Sequence, residues 1–260
     1  MKTVYKLIGA ALAIITMVAC ERADSAFSDA GNSSGQGGSM ARFTINGDYL
    51  YTVDNRTLKM FNLSNPEQPE YLERKNQNLG FGIETIFSMD TLLFIGTQDG
   101  MYIYNVVRPE FPQQLSHVSH IRSCDPVVAS GKYAYVTLNS GSVWCGNVSN
   151  VLQIYDLSDL RNPELKVTEN LNYPKGLGID GNKLFVCDAT LGIKVYDISR
   201  PLAPVWYDDL TYISEAHDII PYDVIPAGGL LLTSTDKGLY QFDYTGEKIK
   251  FVSKITTGKE

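Results

Sequence analysis

The chain has 260 residues, 44% of them apolar, and a formal net charge of -7. That length can bury a substantial core, and so acidic a balance argues against nucleic acid or anionic headgroups as partners, because both require basic patches that displace counterions. Sixteen tyrosines, with no long helical periodicity, lean toward an all-β fold.

Residues 1–19 read as a signal peptide: Lys2 and Lys6, an apolar stretch from Leu7 to Val18, then Ala19 before Cys20. The apolar run falls short of the roughly 20 residues a spanning helix needs. Met17 is too large for the -3 position of ordinary cleavage. Met17-Val18-Ala19-Cys20 instead resembles a lipobox, in which diacylglycerol alkylates the cysteine thiol and the peptide is cut before it. The expectation is a lipoprotein of the cell envelope, held to a membrane through lipid on Cys20, with the outer membrane as its place and a periplasmic or surface-facing domain. Plain secretion with an incidental Cys20 is the alternative. Cleavage removes Lys2 and Lys6 and no acid, taking the charge from -7 to about -9. The stretch Glu21 to Ser39, rich in Ser, Gly, Asp and Ala, reads with Cys20 as a flexible linker (20–39) spanning on the order of 25 Å.

From residue 40 to 256 the chain repeats itself. An aromatic followed by Asp or Asn closes an apolar strand five times: Phe61-Asn62, Tyr104-Asn105, Tyr155-Asp156, Tyr196-Asp197 and Phe242-Asp243, at spacings of 43, 51, 41 and 46 residues. These are the spacings of four-stranded propeller blades. A second apolar strand precedes each pair, at Tyr49–Val53, Leu92–Ile95, Tyr133–Val136, Leu184–Val186 and Leu230–Leu232. Proline-bearing turns follow four of the five pairs, where proline ends one strand and opens an exposed outer one. The Asp or Asn can bond the turn's amides, and Gly100, Gly192 and Gly238 permit tight turns into the third strand. The predicted fold is all-β: a small propeller of five four-stranded blades, at about 40–82, 83–124, 125–176, 177–218 and 219–256. Val107 replaces the usual Ser in the second repeat and Thr245-Gly246 the Pro turn in the fifth, which predicts weaker outer strands there.

The segments Gly131–Thr137, Leu152–Ser158 and Gly192–Ser199, the last followed by Arg200-Pro201, resemble the LVIVD-repeat β-propellers common among exported lipoproteins of Bacteroidetes. That resemblance implies the repeat architecture and hardly any particular activity.

In such a ring the blade-to-blade loops share one face with the turns between second and third strands. They bring Arg42, Glu84, Asp125, Lys175 and Asp218 to comparable positions around the channel mouth, with His120 and His217 nearby. A polar or ion-binding pocket and a mutually neutralised wet channel are both open readings. Ligand spacing for a metal is lacking, and no cofactor is expected. Cys124 and Cys145 fall on this face, and in an oxidising envelope a disulfide between them would pin the insertion Asn139 to Asn150; two free thiols are the alternative. Cys187 aligns with small strand residues and reads as packing. Trp144, Phe81 and Tyr173 offer rigid aromatic area suited to a glycan or peptide, or else fill gaps between blades.

Three classes of function remain. A binding or adaptor module for a glycan, peptide or envelope protein is favoured. An enzyme is disfavoured but stays open, as a metal-dependent hydrolase or lactonase using Glu84, Asp125 and Asp218. A structural spacer is the third. No catalytic triad, phosphate-cradling loop or dinucleotide fingerprint can be assembled.

Overall fold

A computed structural model of the chain describes residues 38–119, 126–140, 149–207 and 219–256. These form five antiparallel sheets, each built from consecutive strands, which together make a five-bladed β-propeller. The first sheet holds β1 (Phe43–Asn46), β2 (Tyr49–Val53) and β3 (Thr57–Asn62), with its outer strand split into β4 (Glu70–Tyr71) and β5 (Gln77–Asn78) around a 3-10 turn at Glu73–Lys75. The second holds β6 (Ile83–Met89), β7 (Leu92–Thr97), β8 (Gly100–Asn105) and β9 (Gln113–Ser119). The third holds β10 (Val127–Ser130), β11 (Tyr133–Leu138), β12 (Val151–Asp156) and β13 (Glu164–Asn170). In the fourth are β14 (Pro174–Asp180), β15 (Lys183–Asp188), β16 (Ile193–Asp197) and β17 (Val205–Trp206). The fifth comprises β18 (Pro221–Ala227), β19 (Leu230–Thr235), β20 (Gly238–Asp243) and β21 (Lys250–Thr256).

The repeated sequence elements make repeated structure. At the end of every third strand the Asp or Asn side chain accepts from the backbone N–H two residues on: Ser64 to Asn62, Val107 to Asn105, Ser158 to Asp156, Ser199 to Asp197 and Thr245 to Asp243, at 2.7 or 2.8 Å. Because the donor is main chain, Val107 and Thr245 serve as well as Ser. The second and fifth outer strands, expected to be weak, are therefore seven residues long, and the short ones are β4, β5 and β17.

The second strands of the middle three sheets are buried on both faces, and their alternate side chains pack against the preceding and the following sheet. Tyr51, Leu58 and Met60 meet Ile83, Ile86 and Leu93 between the first two sheets. A larger cluster runs through the second, third and fourth, with Phe94, Ile103, Tyr135, Ile154 and Leu184, and a further one joins Phe185 and Val195 to Leu231 and Phe242. Buried tyrosines add polar ties between sheets: Tyr51 donates to Pro109 O at 3.0 Å, Tyr196 to Glu169 at 2.8 Å and Tyr244 to Asp180. Where β6, β10, β14 and β18 converge, Phe87, Val128, Leu177 and Val224 line a gap of about 10 Å³.

Gly38 and Ser39 were expected to end the flexible linker. Both are buried, Ser39 completely, because their small size lets them enter between inner strands. Cys20 lies outside the described residues.

Candidate functional site

The face carrying the blade-to-blade loops, here the upper face, is where the inner strands depart from regular pairing. Three of them begin with an irregular register: β6 between Ile83 and Thr85, β14 between Pro174 and Leu177, and β18 between Pro221 and Asp223. A bulge of this kind re-aims the extra side chain. The residues it re-aims here include Glu84, Lys175 and Tyr222.

Lys175 and Tyr222 come together. The Lys175 ammonium lies 3.9 Å from the centre of the Tyr222 ring and 5.8 Å from that of Tyr173, within reach of the attraction between a cation and an aromatic face. Burial holds the Lys175 ammonium below the usual lysine range. Its carbonyl accepts from the Thr137 hydroxyl at 2.6 Å, which ties the bulge to the third sheet.

Two aspartates pin the loops that present these side chains. Asp188, fully buried at the end of β15, accepts from Asn172 N–H and from Tyr173 N–H, the latter at 2.7 Å. Lys194 balances its charge at 3.1 Å and lies 5.0 Å from the exposed Trp206 ring. In the fifth sheet Asp236 takes Ile220 N–H at 2.6 Å in the same manner. Neither aspartate stood out in the sequence. The only signal for them is that each follows the second apolar strand of its repeat.

The other expected residues that are described do not join this cluster. Glu84 accepts from Gln98 at 3.3 Å within its own sheet. Phe81 is 60% exposed and has the Arg56 guanidinium 5.2 Å from its ring. Arg42 is exposed, and its carbonyl bonds Val53 N–H. Asp125, Asp218, Trp144, Cys124, Cys145, His120 and His217 lie outside the described residues. Cys187 is fully buried among Phe185, Ile193 and Val224, and burial pushes its thiol well up, so it packs and does not attack. Among the described residues no group of three His, Cys, Asp or Glu side chains is placed to hold a metal.

Residues 121–170 match the LVIVD repeat, a stretch that spans the third sheet. No curated protein matches the chain. Among solved structures it is similar to a functionally unknown protein from Desulfotomaculum acetoxidans, at 12% identity and a TM-score of 0.64 over 81% of this chain and 67% of that one. Apo AztD from Citrobacter koseri gives 13% identity and 0.59 over 82% and 62%, and a protein from Lactobacillus plantarum 13% and 0.57 over 81% and 68%. The chain thus spans about two thirds of the length of these structures. At such identities the likeness concerns the fold alone.

Proposed function

We propose that this β-propeller, which carries an LVIVD repeat, is a binding or adaptor module held to the cell envelope through lipid on Cys20. Its working surface is the upper face at the fourth and fifth sheets. The observation that carries this reading is the Lys175, Tyr173 and Tyr222 cluster, set on two bulged inner strands and braced from beneath by Asp188. A rigid cation against aromatic faces binds at little conformational cost. A glycan or an extended peptide suits such a surface.

The test is direct. The mature protein is screened against glycan and peptide arrays alongside Lys175→Ala and Tyr222→Ala. Binding by the unsubstituted protein that falls at least tenfold in both variants, with thermal unfolding unchanged, is the expected result. Binding that survives both substitutions, or an unsubstituted protein that captures nothing, contradicts the reading.

A further inference from the structure

The junction between the first and fifth sheets is built unlike the others. Clusters of buried side chains join the first sheet to the second, the second through the fourth, and the fourth to the fifth; among the described residues none joins the fifth to the first. Phe43 on β1 stays 55% exposed, and Ile255 on β21 66%. No strand is shared between the two ends of the ring, since each sheet is made of consecutive strands.

What bonds across this junction is polar. The Ser39 hydroxyl donates to Asp223 Oδ1 at 3.0 Å and accepts from Leu177 N–H at 2.7 Å. Met40 N–H donates to Asp223 Oδ2 at 3.1 Å, and Ala41 O accepts from Ile86 N–H at 2.9 Å. Three consecutive residues leading into β1, Ser39 to Ala41, are thereby fastened to the inner strands of the fifth, fourth and second sheets. The space is shaped for them. A Cβ on Gly38 would lie 2.0 Å from Asp223 Oδ2, and one on Gly176 2.1 Å from Oδ1, so only glycine fits at either side of the carboxyl. With Ser39 fully buried, any of these groups left unpaired is costly.

The geometry points to Gly38–Ala41 as a strap that locks the ring, with the Asp223 carboxyl as its catch. The strap takes the place of the apolar cluster found at the other junctions. Its release parts the fifth sheet from the first without unfolding either, because each keeps its own hydrogen-bond ladder and its packing on the other neighbour. Asp223 directly follows Tyr222, so the catch and the upper-face cluster share one bulge. Opening the strap therefore displaces the surface on which Tyr222 stands.

Amide hydrogen exchange on the mature protein tests this, with Ser39→Ala as the variant. That change deletes both side-chain bonds and leaves the backbone intact. Exchange at Leu177 and at Ile86 is expected to accelerate at least tenfold, while β7, β8, β11 and β12 keep their protection. Ile86 decides the matter, because its partner is Ala41, two residues beyond the substitution. Acceleration confined to Leu177 would mean one local bond and no strap; uniform acceleration in all five sheets would mean an ordinary core contact. Either result overturns the proposal. Gly38→Ala, which keeps every polar partner but crowds the carboxyl, is expected to give the same pattern, and full protection in that variant overturns it too.

Discussion

Each blade turns its first hairpin through a residue in the left-handed region, and the five residues are Gly47, Asp90, Gly131, Gly181 and Gly228, with φ between 51° and 56°. Four are glycines with nothing near an added Cβ; in the second blade Asp90 carries the backbone cost that glycine avoids. Asp90→Gly should raise stability by about 0.5 kcal/mol. Gly238 differs. Its φ is +135°, and a Cβ there would lie 2.2 Å from Ile255 O on the outer strand, so Gly238→Ala should lower stability by about 2 kcal/mol. Denaturant unfolding of the two variants checks both signs, and a neutral Gly238→Ala would show that the outer strand yields freely. The Asx bonds and the glycines before the third strand, Gly238 among them, were legible because they recur at blade spacing. Asp188 and Asp236 were not singled out, although each follows the second apolar strand of its repeat, because nothing in the sequence says which amides they take.

At the scale of elements, the fit between β14 and β18 brings Asp223 out of water, and burial pushes its carboxyl up to about 6. Beside it stands Cys187 on β15, whose thiol is kept protonated by burial; Gly38, Ser39 and Met40 bring no ionisable side chain. A carboxyl raised in the fold binds its proton more tightly there than in the unfolded chain. Its contribution therefore grows as pH falls through about 6, is complete below 3.8, and is lost as pH rises. The carboxyls of Asp156, Asp197 and Asp243 are instead held below the usual range, by bonds from Ser158, Ser199 and Thr245. Their contribution is present above the ordinary carboxylate range and fades in stronger acid. The midpoint of thermal unfolding should accordingly peak between about pH 4 and 5. Asp223→Asn should flatten the limb between pH 5 and 7.5, a limb worth about 1 kcal/mol in the unsubstituted protein. An unchanged limb in that variant would place its origin elsewhere. The strap itself could not be foreseen. Ser39 sits at the end of a Ser- and Gly-rich stretch that reads as linker, and its partner lies 184 residues away.

For the whole molecule, the five-bladed ring was readable because strand spacing, apolar strands and turn chemistry agree on one architecture. The proposed working surface was only partly so. Lys175 and Tyr173 emerged from their loop positions, whereas Tyr222 reaches them through a bulge that no pattern announces. The proposed anchor is open to a separate test. Cells expressing the full chain and fed labelled palmitate should label it, and Cys20→Ala should abolish the label and move the protein from the membrane to the soluble fraction. Label retained in that variant would refute lipid attachment at Cys20.

The central claim is that the upper face at the fourth and fifth sheets meets a ligand. Photo-crosslinking in intact cells tests it most directly, with a photoreactive side chain at Tyr222 and, as control, at Asn162 on the opposite face. A discrete adduct from position 222 that Lys175→Ala suppresses, with none from position 162, is the predicted result. No adduct at 222, or the same adduct from both positions, would contradict the account.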